Sequence, residues 1–336
     1  MNDRKYQKTS PLKYVAVILL IVFLVSSGLF ALSLVEKCSD KKESAPVAGS
    51  SVVEHNGVSY TPKSHVETVL FLGLDKFEGQ EGSESYNNDK QADFALLMVF
   101  DNKAKEWSAI HLSRDTMVEA DLLDIKGTPY GTTIEQLALA HTHGDGGIQS
   151  FRNVRDAVER LLELVDINNC VTVTMDAVPV YNDLAGGVTL EILDDFSSVD
   201  SSLVKGETVT LKGQHALTYV RARQGVADET NDSRMKRQRQ YMNALYEQTK
   251  SRAETDPEFV TNAVEALINN ENIVIQHDCG GIEGLSALAD KIVEYEYIDT
   301  YTLEGDLIEG ENYMEFYPDE EKVKEFVLKL FYDVNE

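Results

Sequence analysis

Apolar residues occur along this chain in short runs that alternate with stretches of helical periodicity. Residues 69–74, 94–100 and 107–112 have the length and composition of buried strands. Apolar positions in residues 148–165 recur at spacings of three and four, which predicts a helix, and a strand-like run follows at 171–175. This alternation predicts an α/β fold, a sandwich with helices packed on a sheet.

The second half of the chain is predicted to be mainly helical. A short helix is expected at 213–220, and a longer one from Arg234 to about residue 250, capped by Asn231, Asp232 or Ser233. Apolar periodicity returns at 258–268 and 284–295, and a last helix is expected at about 320–330. The sequence shows no repeat and no linker in this region, so residues 65–336 are predicted to form one domain.

Two carboxylates and one guanidinium group are predicted to meet at one edge of the sheet. The connection at 101–106 is short and polar, so the strands on either side of it should be antiparallel neighbours. If the first strand also pairs antiparallel with the second, Asp75, Asp93 and Arg114 lie at the same edge. Two carboxylates beside a polyphosphate can hold a divalent ion, so Asp75 and Asp93 are candidate Mg²⁺ ligands, with Mn²⁺ as the alternative ion.

The N-terminal region predicts a membrane anchor. Residues 14–35 contain no charged side chain and span roughly 30 Å as a helix. Basic residues precede this segment, which places residues 1–13 in the cytoplasm and the rest of the chain outside the cell. Residues 36–64 are expected to form a stalk. The alternatives, a cleaved signal peptide and a lipoprotein, are disfavoured by the length of the apolar run and by Glu36 and Lys37 before Cys38.

The overall charge restricts the class of partner. The chain has 336 residues and a formal net charge of -26, which argues against nucleic acid because a phosphate backbone needs a basic footprint. Three cysteines are too few for a disulfide scaffold, and Cys170 lies in an apolar strand pattern typical of a buried thiol.

Arginines are concentrated in one short segment of this acidic chain. Of the 11 arginines, Arg221, Arg223, Arg234, Arg237 and Arg239 fall within 19 residues. On the predicted helix, Arg234, Arg237 and Gln238 share one face. Guanidinium groups near a helix N-terminus suit phosphate oxygens, so the cluster predicts a phosphate or pyrophosphate site. The alternative is a solvated helix face that forms ion pairs.

The segment that begins at His141 resembles a metal-binding motif but has a structural interpretation as well. The sequence His141-Thr-His143-Gly-Asp145 is close to a zinc-binding motif, but the next expected histidine is Gly146. The glycines at 144, 146 and 147 suggest instead that this segment ends one helix and begins another.

Several motifs together resemble the LytR-CpsA-Psr family. They occur in family order and are FLGLD at 71–75, ADFALLMVF at 92–100, LSRDTMV at 112–118, DLAGGV at 183–188, LKGQHALTYVRAR at 211–223 and RMKRQ at 234–238. The resemblance covers roughly residues 66–250, and the YVRAR and RxxRQ elements together are its most specific part.

The resemblance implies a fold and a reaction. It implies a three-layer α/β/α sandwich with a central mixed sheet, with a hydrophobic groove for a polyprenyl chain and Mg²⁺ at a pyrophosphate. The implied reaction transfers a phosphoglycopolymer, such as teichoic acid or capsule, from undecaprenyl pyrophosphate to a peptidoglycan hydroxyl. By motif, Asp75, Asp93 and Arg114 become catalytic residues. The implied phosphate contacts are Arg114, Arg221, Arg223, Arg234, Arg237 and Gln238.

The chain departs from the family pattern at three positions. Ser113 replaces the usual proline before the Arg-Asp pair, Gln91 replaces a basic residue, and Asn231 replaces an aspartate three positions before Arg234. Two other functions remain open at this point. A noncatalytic protein could use the same groove to hold lipid-linked precursors, and a pyrophosphatase could use water in place of the sugar hydroxyl.

Overall fold

The computed structural model describes residues 52–76 and 90–335, except residues 125, 257–258, 282–283, 285–286, 289–290, 293–294 and 312. The expected cytoplasmic tail, the membrane anchor at 14–35 and the first part of the stalk lie outside the described residues. Within the described part, no helix is both long and apolar enough to cross a bilayer.

The strands are β1 (Val53–His55), β2 (Val58–Pro62), β3 (Val66–Lys76), β4 (Lys90–Asp101), β5 (Glu106–Leu112), β6 (Met117–Leu123), β7 (Pro129–Gln136), β8 (Asn169–Thr174), β9 (Val188–Glu191), β10 (Thr208–Leu211), β11 (Ile275–His277), β12 (Glu296–Tyr301), β13 (Gly305–Glu309), β14 (Met314–Pro318) and β15 (Tyr332–Val334). The helices are α1 (Leu137–Ala140), α2 (Ile148–Leu162), α3 (Ala177–Leu184), α4 (Gln214–Arg221), α5 (Asn231–Thr255), α6 (Phe259–Ile268) and α7 (Glu320–Phe331).

A mixed sheet of six strands forms the centre of the protein, in the order β11-β8-β3-β4-β5-β12. Strand β4 pairs antiparallel with both β3 and β5, as the polar connection at 101–106 predicted. The pairs β3–β8 and β5–β12 are parallel. The α/β class with a central mixed sheet is therefore confirmed.

Side chains of the central strands alternate between two cores, one on each face of the sheet. In β3, Leu70 and Leu72 pack into one core with α2 and α7. Val69 and Phe71 pack into the other core with α3, α4, α5 and α6. A strand buried on both faces has a continuous apolar sequence rather than an alternating one, which is why these strands could be predicted.

A β-bulge interrupts the pairing of β3 with β4. Gly73 pairs with Phe94 and Leu74 pairs with Ala92, so Asp93 is the additional residue on β4. A Cβ atom on residue 73 would lie 3.0 Å from the Cβ atom of Phe94, so any larger residue would force Phe94 to shift, and glycine permits the close approach. Bulges re-aim side chains, and this bulge orients Asp93 independently of the regular alternation of β4.

The ends of the domain differ from the expectations. Residues 53–62, assigned to the stalk, form β1 and β2, and β2 pairs with the C-terminal strand β15. The Asn56–Gly57 turn, with positive φ at both residues, suits the hairpin that joins β1 and β2. The C-terminal region is joined to the main sheet through β12, which pairs with β5.

The two described cysteines pack against opposite faces of the central sheet. Cys170 belongs to the core beneath α2, whereas Cys279 packs against the other core. Both thiols are free, and burial raises the pKa of each. The expectation of a buried thiol at Cys170 is therefore confirmed.

Candidate functional site

A polar cavity of about 650 Å³ lies at the edge of the sheet where β3, β4 and β5 meet α4 and α5. We call it the arginine cavity. Its charged lining residues are Asp75, Asp93, Asp115, Arg114, Arg221, Arg223 and Arg234. The structure thus brings together three strand-edge residues predicted to converge and three of the predicted arginines.

The two predicted metal ligands each contact guanidinium groups. The Asp75 carboxylate forms an ion pair with Arg221. Asp93 Oδ1 lies 2.9 Å from Arg114 Nη1, and Asp93 Oδ2 lies 3.6 Å from Arg234 Nη1. The first of these Asp93 contacts lacks hydrogen-bond geometry, so Oδ1 is buried without a hydrogen-bond partner among the described residues.

Arg114 is held in place by oxygen atoms on several sides. Its Nη2 donates a hydrogen bond to Gln91 Oε1, and its Nε lies 3.9 Å from Asp115 Oδ1. Gln91 occupies a position where the resemblance predicts a basic residue. Its neutral amide therefore supports Arg114 instead of adding a further positive charge to the cavity.

Arg234 is buried and has a neutral partner. Its Nε and Nη2 donate to Asn231 Oδ1 at 3.1 and 2.7 Å. Burial lowers the pKa of Arg234 to about 10, while Asp93 acts in the opposite direction. The side chain therefore stays protonated near neutral pH, with much of its charge available to an anion.

The C-terminal end of α4 and the residues that follow it present two arginines to the cavity. Arg221 is the last residue of α4, and Ala222 leaves the helix in an extended conformation, which carries the chain on to Arg223. Arg223 has no ion-pair partner among the described residues. The helix that follows, α5, begins at Asn231 with Thr230 as its N-cap, one turn earlier than predicted.

Arg237 and Gln238 share the predicted face of α5, but they do not line the arginine cavity. Arg237 is 1% exposed and donates to the carbonyl oxygens of Tyr219 and Ala222 and to Asp194. Gln238 Nε2 donates to the Val220 carbonyl at 3.2 Å. The prediction that these two side chains bind phosphate is therefore not supported, because both fasten the end of α4 to α5.

The lining residues that were not predicted as site residues include Gln91, Asp115, Gln136 and Tyr313. Asp115 follows Arg114 within the LSRDTMV motif, and that adjacency could have identified it. Burial raises the pKa of Asp115, and nearby arginines oppose the shift. Tyr313 lies directly before β14, in a hairpin with no recognisable sequence pattern.

The cavity has the electrostatic character of an anion site. Four guanidinium groups face three carboxylates, in a chain whose net charge is -26. A pyrophosphate could displace the carboxylates from the arginines and take their hydrogen bonds.

A divalent cation also fits the residues at this edge. Asp75, Asp93 and Gln91 supply oxygen atoms, which Mg²⁺ prefers, and Asp93 Oδ1 is a buried oxygen without a hydrogen-bond partner among the described residues. The same carboxylates contact arginines, so a cation would have to compete with those ion pairs.

Two other cavities lie close to the arginine cavity. A second polar cavity shares Asp75, Gln214 and Arg221 with it and is otherwise lined by residues such as Lys90, Asp176 and Asn272. An apolar cavity of about 90 Å³ lies between the sheet and α3, α4 and α5. Its lining includes Phe71, Phe94, Tyr181, Val220, Tyr241 and Leu245.

The histidines of the zinc-like motif have structural partners. His141 Nδ1 lies 3.0 Å from the Lys90 carbonyl oxygen, and His143 Nε2 lies 2.8 Å from Glu135 Oε1. Gly146 and Gly147 precede α2, in agreement with the predicted helix boundary.

This fold and cavity define an α/β protein with an arginine-rich polar cavity at one edge of a mixed sheet. The LytR_cpsA_psr family model matches residues 30–331, and the chain belongs to that family.

Individual relatives share limited sequence identity with this chain. The chain is 27% identical over 256 residues to the polyisoprenyl-teichoic acid–peptidoglycan teichoic acid transferase TagU of Bacillus licheniformis, over 73% of this chain and 72% of that protein. The structure of TagT bound to LI-WTA matches with a TM-score of 0.56 at 19% identity, covering 85% of this chain and 95% of that chain. The structure of TagV from Bacillus subtilis matches with a TM-score of 0.55 at 23% identity, covering 80% and 96% of the two chains.

Proposed function

We propose that this protein is a phosphotransferase that moves a phosphate-linked glycopolymer, such as teichoic acid or capsule, from undecaprenyl pyrophosphate to a hydroxyl of peptidoglycan. The observation that carries the proposal is the presence of four arginines in one cavity of a chain with a net charge of -26. Family membership and the similarity to TagU support the same reaction class.

The proposed reaction is a single phosphoryl transfer. The acceptor hydroxyl oxygen forms a bond with the phosphorus that bears the glycan, and the bond from that phosphorus to the bridging oxygen breaks. Undecaprenyl phosphate leaves with the bond electrons, and the hydroxyl proton passes to a base or to water. Arg114, Arg221, Arg223 and Arg234 would bind the phosphate oxygens and stabilise the charge that develops on the leaving group.

The apolar cavity is the proposed site for the start of the lipid chain. It lies between the sheet and α5 and is lined almost entirely by apolar and aromatic side chains. Its volume, about 90 Å³, is much smaller than an undecaprenyl chain. The helices would therefore have to move away from the sheet to admit more than the first part of the lipid.

Asp75 and Asp93 are the proposed Mg²⁺ ligands. When bound there, the cation would neutralise charge on the pyrophosphate. We expect Asp75→Ala and Asp93→Ala each to reduce transfer far more than they reduce the fraction of folded protein. Normal transfer by both variants in the presence of chelator would contradict the assignment.

A polymer-attachment assay tests the proposed function and separates it from the two alternatives. Full-length protein in detergent is incubated with a lipid-linked glycopolymer, Mg²⁺ and uncrosslinked peptidoglycan. A transferase attaches polymer to peptidoglycan and releases undecaprenyl phosphate. A pyrophosphatase releases undecaprenyl phosphate equally well without acceptor, and a binding protein releases none, so either result would contradict the proposal.

We further propose a single-pass membrane location, with residues 1–13 in the cytoplasm and the domain outside the cell. The uncharged segment at 14–35 and the basic residues before it support this topology. Protease added to intact protoplasts should release an ectodomain fragment. A fragment that forms only after lysis would reverse the topology.

A further inference from the structure

The C-terminal hairpin of β13 and β14 is fastened directly beside the arginine cavity. Gln136 Nε2 donates to Asp115 Oδ1 at 2.9 Å and to the Met314 carbonyl at 2.8 Å. The Phe316 amide donates to the Asp115 carbonyl at 2.8 Å. Asp115 follows Arg114, so these hydrogen bonds tie one end of the hairpin to the residue next to an anion-binding arginine.

This attachment brings an aromatic side chain to the wall of the cavity. Tyr313 immediately precedes β14 and lines the arginine cavity, yet it remains 39% exposed. It is the aromatic residue among the lining residues of that cavity, which are otherwise polar, charged or aliphatic. An exposed ring beside four guanidinium groups offers an apolar face next to a site for phosphate.

A sugar bonded to a phosphate has the complementary chemistry. The C–H groups on one face of a pyranose ring carry partial positive charge, and the face of an aromatic ring carries partial negative charge. The phosphate would bind the arginines, and the sugar attached to it would extend along the cavity wall. A bare lipid pyrophosphate has no group that could use the aromatic face in this way.

We propose that Tyr313 stacks against the first sugar of the donor and thereby selects a glycan-bearing pyrophosphate over a bare one. This inference rests on the proposed function, because it assigns the donor to the arginine cavity. The donor sugar is favoured over the acceptor sugar because Tyr313 and the four arginines line the same cavity. Tyr313 is then a specificity-determining residue contributed by the C-terminal part of the chain.

The hairpin supplies a matched control at Tyr317. This second tyrosine has similar exposure, 42%, and its hydroxyl donates to Glu315 Oε2 at 2.6 Å. It is not among the residues that line the arginine cavity. Removal of its ring therefore perturbs the same hairpin without removing the proposed stacking surface.

Calorimetric titration of the full-length protein in detergent tests the proposal with two probes. One is geranylgeranyl pyrophosphate, and the other is the same lipid pyrophosphate bearing N-acetylglucosamine. Tyr313→Ala should weaken binding of the sugar-bearing probe by about three- to tenfold and leave the bare probe unchanged. Tyr313→Phe should retain wild-type affinity for both, because the ring face remains, and Tyr317→Ala should also behave as wild type.

Three results would overturn the inference. Equal weakening of both probes by Tyr313→Ala would show that the residue supports the anion site or the hairpin instead of the sugar. Unchanged affinity for both probes, with reduced transfer only at limiting peptidoglycan, would place the acceptor sugar at Tyr313. If wild-type protein bound neither probe, the proposed function itself would fail, a result that differs from a selective effect at Tyr313.

Discussion

The Asn231 amide donates a hydrogen bond to the Ser113 hydroxyl oxygen at 2.9 Å and so joins two positions at which the motifs of the resemblance predict other residues. Those motifs predict a proline at position 113 and an aspartate at position 231. The same Asn231 side chain accepts two hydrogen bonds from Arg234. The two departures are therefore one structural unit, which orients a buried arginine without neutralising its charge.

This unit predicts that Asn231→Asp weakens anion binding. An aspartate could accept the same hydrogen bonds from Arg234, but its charge would attract the guanidinium and repel a pyrophosphate. We expect affinity for geranylgeranyl pyrophosphate to fall by about three- to tenfold, measured by calorimetric titration. Asp232→Asn changes a charge at the next, exposed position and should leave affinity unchanged. Wild-type affinity in Asn231→Asp would contradict the role assigned to the neutral amide.

Arg221 and Arg223 provide a direct test of the anion site. Lysine keeps the positive charge at either position but cannot make the two parallel hydrogen bonds of a guanidinium group. We expect Arg221→Lys and Arg223→Lys each to weaken binding of a polyprenyl pyrophosphate by roughly ten- to a hundredfold. Their melting temperatures should stay close to wild type, because both side chains are only partly buried.

The control for these two variants is Arg160→Lys. Arg160 lies on α2, where it forms an exposed ion pair with Asp121. This substitution should change neither binding nor melting temperature. If all three lysine variants bind pyrophosphate as wild type does, the cluster is a solvated surface, and the transferase proposal loses the observation on which it rests.

Arg237 should contribute to stability more than to binding. Arg237→Met would leave Asp194 without its cation and two carbonyl oxygens without their donor. Loss of one partner of a buried ion pair costs roughly 3 kcal/mol in the free energy of unfolding, which chemical denaturation can measure. Lys236→Met removes an exposed pair with Asp232 on the same helix and should cost less than about 1 kcal/mol. Equal effects from the two substitutions would refute the role of Arg237 in joining α4 to α5.

The strands and helices that are deeply buried were predicted from the sequence, because burial imposes a regular apolar pattern. Strands β3, β4 and β5 and helix α2 are the clearest examples. The β13–β14 hairpin was missed because β13 is exposed throughout and has no apolar alternation. Its position depends on hydrogen bonds from Gln136 and to Asp115, which are distant in the sequence.

The candidate site was predicted in part for a similar reason. Strand order and direction were enough to bring Asp75, Asp93 and Arg114 to one edge of the sheet. The bulge at Asp93 could not be predicted, since it depends on how closely Gly73 approaches Phe94. Helical spacing placed Arg234 and Arg237 on one face of α5. It could not reveal that the first lines a cavity while the second is surrounded by the end of α4.

The buried histidine His111 predicts loss of stability in acid. Burial lowers its pKa to about 3, and Arg239 and Arg234 act in the same direction, whereas the unfolded chain has a pKa near 6.5. The unfolded state therefore binds more protons between these pH values. The stabilising contribution of neutral His111 to the free energy of unfolding is fully present above pH 6.5 and is lost as the pH falls towards 3.

The variant His111→Gln tests this prediction. The free energy of unfolding should fall between pH 6.5 and 4 in the wild type, and in the variant this fall should be smaller by about 3 kcal/mol. Burial also lowers the pKa of His141 to about 4. This second histidine adds to the loss of stability over the same pH range, and it is unchanged in the variant. Denaturant titrations of wild type and His111→Gln at several pH values measure the effect, and an unchanged slope in the variant would show that this histidine does not remain neutral in the folded protein.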